Sequence, residues 1–276
     1  MTTAIPTITL NNGVEMPQVG FGVFQVPNEE TTAAVSAALK AGYRSVDTAA
    51  IYGNEEGVGK ALAQSGIARE DLFITSKVWI SDMGFEQTLE AFDASLQRLG
   101  LEYLDLFLIH WPAPEKGLYV DTWKALEQLY ADKKIRAIGV SNFQPEHLQK
   151  LVAEGSIVPA VNQVELHPAL QNREVAAANA EHGIATEAWS PLAQGALLAD
   201  ASILAIAEAH RVTAAQVILR WHLQQGRVII PKSVTESRII ANLDLFGFEL
   251  SSDELASIDA LDGDGRTGPD PDTFNG

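Results

Sequence analysis

Short runs that are apolar almost without interruption alternate along the chain with longer stretches of helical periodicity. Examples of the first kind are LFIT at 72–75, LFLI at 106–109, AIGV at 137–140 and VII at 228–230. Such runs fit strands buried on both faces rather than the alternating pattern of a half-exposed sheet. The pattern predicts a hairpin from 8–10 and 14–16 around Asn11-Asn12-Gly13. Strands follow at 19–24, 43–47, 72–78, 103–109, 135–140, 160–166, 184–189 and 228–231. Helices are expected at 29–41, 54–65, 85–99, 120–131, 145–154, 173–182, 202–210, 213–225, 235–243 and 252–261. Gly42, Gly66, Gly100, Gly155 and Gly183 stand where helices should stop, and Pro145 suits a first turn. Thr213 and Gln216 have capping-box spacing, and Asn54 can cap the helix that follows it. The tail from 262 to 276, rich in Gly, Pro and Asp, reads as a loop.

Eight strand–helix units, counted from Val19, predict an α/β fold. The expected form is a (β/α)8 TIM barrel with an N-terminal β-hairpin and auxiliary helices, one domain over 1–276. A doubly wound sheet is the alternative. It usually carries a third glycine that Gly20 and Gly22 lack.

Charge narrows the partners. A formal net charge of −17 disfavours nucleic acid and anionic membranes, so an anionic ligand needs a locally positive site. There is no cysteine, hence no disulfide or thiol chemistry, and MTTAIPTITL has neither the basic region nor the apolar core of a secretory signal. The expectation is a cytoplasmic enzyme without membrane segments. The six histidines form no HxxxH pair, and no GxSxG elbow or GxxxxGK[ST] loop occurs, so no metal site is expected.

A barrel carries its chemistry at the C-terminal strand ends. Those ends hold Phe24, Asp47 with Tyr52, Lys77, His110, Ser141-Asn142, Gln163 with Glu165, Trp189-Ser190 and Lys232-Ser233. Asp105 and Arg136 fall at the opposite ends and suit a structural ion pair. Asp47, Tyr52, Lys77 and His110 fit one mechanism. A carbonyl accepting hydride needs a proton at its oxygen, and a tyrosine supplies it best beside a cation. Lys77 provides that cation, Asp47 fixes the lysine, and His110 orients the carbonyl. Trp79 and Trp111, with Phe24, offer apolar pocket walls.

Three separated motifs, GYRSVDTAAIYGNEEGVG at 42–59, RAIGVSNF at 136–143 and IPKSVTESRIIANLDL at 230–245, together with LIHWP at 108–112, give the chain its resemblance. It resembles the aldo-keto reductases over almost its whole length, and most of all the bacterial 2,5-diketo-D-gluconate reductase branch. The resemblance implies the barrel, NADPH as cofactor, and a catalytic tetrad of Tyr52 (general acid), Lys77, Asp47 and His110. It also implies that Ser141, Asn142 and Gln163 hold the nicotinamide carboxamide and that Trp189 stacks on the ring, where many relatives use tyrosine. Ser190, Leu192 and Gln194 would line the pyrophosphate. Lys232, Ser233 and Arg238 would surround the 2′-phosphate, with Asn242 at the adenine and Ala241 where many relatives carry an acid. A monomer is implied.

The function expected is NADPH-dependent reduction of aldehydes, ketones or dicarbonyls, keto-sugars included. The short segment from Trp111 to Asp121 suggests an open pocket and loose specificity. Two alternatives stand beside it: a Schiff-base aldolase working through Lys77, and a nucleotide-binding regulatory protein with vestigial reductase activity.

Overall fold

The computed structural model describes residues 5–276. An antiparallel hairpin opens it, β1 (Thr7–Thr9) against β2 (Glu15–Pro17), with Ile8 opposite Met16. The barrel strands follow in chain order: β3 (Phe21–Gly22), β4 (Ser45–Asp47), β5 (Phe73–Val78), β6 (Leu104–Ile109), β7 (Ile135–Ser141), β8 (Val161–Glu165), β9 (Ala185–Trp189) and β10 (Val228–Ile229). All eight are parallel and lie side by side in that order. A parallel bridge between Val19 and Ile229 joins the first to the last, carried by Gly20 N–H to the Ile229 carbonyl at 2.8 Å and Ile229 N–H to the Gln18 carbonyl at 3.0 Å. Gly22 lies against this seam. A Cβ there would come within 2.8 Å of the Ile230 carbonyl oxygen, so only glycine lets the strands close.

Helices cover the outside: α1 (Asn28–Ala41), α2 (Glu55–Gln64), α3 (Phe85–Leu99), α4 (Tyr119–Ala131), α5 (Pro145–Glu154), α6 (Arg173–Glu181), α7 (Ala201–His210), α8 (Ala214–Gln224), α9 (Glu236–Ala241) and α10 (Ser252–Asp259). The expected capping box forms at Thr213 and Gln216. Asn54 occupies the N-cap position of α2, but its side chain does not cap. It donates to the carbonyls of Val23 and Val26 and accepts from Thr48, so it ties the β3 and β4 loops together.

Strand parity divides the core in two. Phe73, Leu106, Leu108, Ala137, Val161 and Val228 fill the lower lumen, and Leu10 and Met16 from the hairpin region plug it. Ile74, Phe107, Ile109, Ile138, Val140 and Val164 face outward into the helix layer. Because side chains alternate along a strand, the inward positions continue upward as Lys77 above Phe73, His110 above Leu108, and Gln163 above Val161. The lumen is thus apolar below and polar above, which delivers the strand-end residues to one place. Asp105, by contrast, is buried at the other end between Arg69 and Arg136, each at 2.7 Å, as the expected structural ion pair. Among the described residues no single helix is long and apolar enough to cross a membrane.

Candidate active site

Asp47 ends β4, and Lys77 is the fifth residue of β5. Lys77 is wholly buried. Its Nζ lies 2.6 Å from Asp47 Oδ1 and donates to the Thr48 carbonyl at 2.9 Å. Burial alone would push the ammonium down. The Asp47 charge, helped by Tyr52 and Glu187, outweighs it, and the amine is held above its ordinary value. Lys77 therefore stays protonated at neutral pH. A Schiff-base aldolase needs a neutral amine, so this geometry opposes that alternative.

Tyr52 ends a 3-10 turn, Ala50–Tyr52, that carries the chain from β4 toward α2. Its ring lies 5.1 Å from Lys77 Nζ and meets the His110 imidazole edge-on at 5.6 Å. Burial is the largest influence on the phenol and pushes it up. Lys77 pulls it down by less, and Asp47 and Glu187 push it further up. The expected lowering by Lys77 is thus present but overruled, and the phenol keeps its proton throughout the neutral range. His110 is pushed well below its usual value, first by burial and then by Lys77. It is a neutral imidazole, a hydrogen-bonding group rather than an acid. Its Nδ1 is sealed without a partner.

The walls are aromatic. Phe24 leans on Tyr52 at 5.0 Å, and Trp79 meets His110 edge-on at 5.1 Å. The tail adds a further aromatic. Phe274 packs at 4.7 Å from Trp111 and 6.3 Å from Trp79. The tail is fixed by Glu165, whose carboxylate accepts the backbone N–H groups of Thr267 at 2.7 Å and Gly268 at 3.0 Å. Gly268 rides on Trp189. A Cβ there would lie 2.5 Å from Trp189 Cη2.

Four residues expected at the cofactor are knit together beside the tetrad. Ser141 Oγ donates to the Gln163 carbonyl at 2.7 Å, Asn142 Nδ2 donates to the His110 carbonyl at 3.0 Å, and Trp189 Nε1 donates to Asn142 Oδ1 at 2.8 Å. Asn142, Ser190 and Gln194 all have positive φ (64°, 47° and 54°). Such backbone is sparse for non-glycine residues and collects at ligand sites. Beyond the seam, Lys232 and Arg238 are exposed, and neither makes an ion pair among the described residues. Two free cations in a chain of charge −17 are what a phosphate site needs. Ser233 and Asn242, both buried, flank them. These features fit a long anionic dinucleotide.

Two contributors escaped the sequence reading. Glu187 lies in the lumen beside Asp47, and Phe274 comes from the tail. For Glu187 a signal existed, since it stands two residues before Trp189 and so shares its inward face. For Phe274 none did, because a loop's path is not written in periodicity.

The chain is similar to known proteins over nearly its whole length. The family model described as aldo/keto reductase matches residues 18–263. A glyoxal reductase of Bacillus subtilis is 58% identical over 272 residues, 98% of each chain. A methylglyoxal reductase of Yersinia pestis is 51% identical over 274 residues, covering 99% of this chain and 98% of its own. A Gox0644 variant solved in complex with NADPH superposes with a TM-score of 0.95 at 46% identity, covering 99% of both chains. With a closed eight-stranded barrel, a buried lysine–aspartate pair under a tyrosine, and these likenesses over nearly its full length, the chain belongs to the aldo/keto reductase family.

Proposed function

We propose that this oxidoreductase reduces small aldehydes, ketones and α-dicarbonyls, keto-sugars among them, to alcohols, with Tyr52 as the proton donor. The cofactor is NADPH, as in the solved relative. The observation that carries the reading is the convergence of a protonated phenol, a buried ammonium and a neutral imidazole at one mouth of the lumen. The names of the Bacillus and Yersinia relatives favour α-dicarbonyls, and the aromatic walls favour uncharged substrates over keto acids.

Bound, NADPH supplies a hydride to the carbonyl carbon. Ser141, Asn142 and Gln163 would hold its carboxamide and Trp189 its ring. Ser190, Leu192 and Gln194 would line the pyrophosphate, Lys232, Ser233 and Arg238 the 2′-phosphate, and Asn242 the adenine. His110 orients the substrate by a hydrogen bond to its oxygen. Tyr52 gives its phenolic proton to that oxygen, and Lys77, held by Asp47, stabilises the negative charge left on the phenol. Phe24, Trp79 and Trp111 exclude water. The reading extends to a single barrel domain, a cytoplasmic monomer acting on free small molecules, with no nucleic acid or membrane partner.

The test is Tyr52→Phe assayed with methylglyoxal and simple aldehydes. Turnover should fall by roughly 10²–10⁴-fold while the NADPH dissociation constant changes by less than about twofold. Residual turnover within tenfold of the wild type would remove Tyr52 from the role. A wild type that binds NADPH but turns over none of these carbonyls would favour the regulatory alternative.

A further inference from the structure

The lumen below the tetrad holds a second acid that the mechanism above does not use. Glu187 is 1% exposed and faces inward from β9. Its Oε2 accepts a hydrogen bond from Gln163 Nε2 at 2.8 Å, and the same nitrogen donates to Asp47 Oδ2 at 2.8 Å. A primary amide nitrogen has two hydrogens, and these two acids take both. Turned over, the amide would set its carbonyl oxygen against the Asp47 carboxylate, already committed to Lys77, so Asp47 opposes the turn and Glu187 adds the acceptor for the second hydrogen. The acids therefore decide which way the amide points. Its Oε1 remains as the only hydrogen-bonding atom of that side chain without a partner in the lumen.

The charges fit this arrangement. Facing Glu187 are Asp47 on β4, Lys77 on β5 and Tyr52 on the loop after β4, so one cation serves two carboxyl groups. Burial, then Asp47, push Glu187 up to about 8, against the opposing pull of Gln163 and Lys77. At neutral pH Glu187 keeps its proton and leaves Lys77 to Asp47.

We propose that Glu187 is a positioning residue for the nicotinamide end of the cofactor: with Asp47 it takes both amide hydrogens of Gln163 and so turns the Gln163 carbonyl oxygen toward the cofactor's carboxamide. A carboxamide NH2 needs an acceptor, and a Gln163 held by Asp47 alone can swing its own NH2 toward the cofactor instead. This inference rests on the placement of the carboxamide at Gln163 given above.

The experiment measures dissociation constants of NADPH and NADH by tryptophan fluorescence, with thermal unfolding of each apo protein alongside. The variants are Gln163→Ala, Glu187→Met, Glu187→Gln and the Gln163→Ala/Glu187→Met pair. Methionine keeps the bulk of glutamate without an acceptor. Gln163→Ala and Glu187→Met should each weaken both cofactors about tenfold, since both carry the same carboxamide. The pair should be no weaker than Gln163→Ala alone, because Glu187 acts through Gln163. Glu187→Gln, which keeps a neutral acceptor, should stay within about twofold of the wild type. Should Glu187→Met unfold, Glu187→Leu takes its place, alone and paired with Gln163→Ala, and is read for the same outcomes. A purely structural Glu187 would lower the melting temperature and leave both constants unchanged, which overturns the inference while leaving the site intact. Losses that add in the pair overturn it too. If Gln163→Ala binds both cofactors normally, the carboxamide placement itself fails and the inference with it.

Discussion

Removing Asp47 should destabilise the fold mainly through what it leaves behind. In Asp47→Ala the Lys77 ammonium, 0% exposed, keeps only the Thr48 carbonyl at 2.9 Å. Stranding a buried charge costs about 3–5 kcal/mol. With Glu187→Gln in the same background, which removes the other acid facing it, the lysine has one escape, which is to lose its proton. From an ordinary value of 10.5, that costs about 5 kcal/mol at pH 7 and about 2 kcal/mol at pH 9, at roughly 1.4 kcal/mol per pH unit. The penalty is therefore capped, and the cap falls with pH. The sign follows from proton counting. With Lys77 neutral in the folded variant and charged when unfolded, the unfolded state binds more protons, so the variant's stability rises toward pH 10. Urea unfolding followed by tryptophan fluorescence would read this at pH 7 and pH 9. At pH 7 the melting temperature should drop by roughly 6–20 °C. Asp47→Ala/Lys77→Met in that background, which removes both charges, should recover at least about 2 kcal/mol of the loss. A single-variant cost below about 1 kcal/mol, a penalty that does not shrink at pH 9, or strictly additive losses in the double variant would refute the argument.

Arg238→Ala should weaken NADPH by roughly ten- to a hundredfold, the worth of one charge-assisted phosphate contact, and leave NADH nearly unchanged. Equal losses for the two cofactors, measured as dissociation constants, would take Arg238 away from the 2′-phosphate. Glu187 imposes a pH dependence of its own. Raised from 4.5 to about 8, it keeps its proton in the fold but loses it on unfolding between those values, so stability falls as pH rises from about 5 to 8. That loss is on the order of 3–5 kcal/mol, and Glu187→Gln should not show it. Parallel pH profiles for the two proteins would contradict the shift.

The order of elements could be read from the chain because strand and helix periods differ, and because strands buried on both faces leave uninterrupted apolar runs. The helices at 85–99 and 145–154 begin and end where the sequence places them. The outer strands shrank instead. The run at 19–24 became two strand residues, with Val19 making only an isolated bridge to Ile229. The pairing of Asp47 with Lys77 was legible from strand order and parity. The double grip on Gln163 was not, because it depends on the lumen's width bringing β4, β8 and β9 within one side chain's reach. Likewise Asn54 has the residue type of a cap, and only the neighbouring loops reveal that its amide serves them instead.

The seam between β3 and β10 joins segments separated by most of the chain, and it does so with two-residue strands. Contacts between remote segments carry a large loop-closure entropy and form late in folding. The seam is thus expected to zip last and to open before β5 to β7, which are joined by longer ladders, and amide hydrogen exchange would read the difference. Lys232 and Ser233 come three and four residues after β10, so a dinucleotide held there as proposed would bind the zipped form in preference and stabilise it by mass action. On that reading the cofactor would act as a clasp on this joint, and limited proteolysis of the chain should slow when NADPH is added.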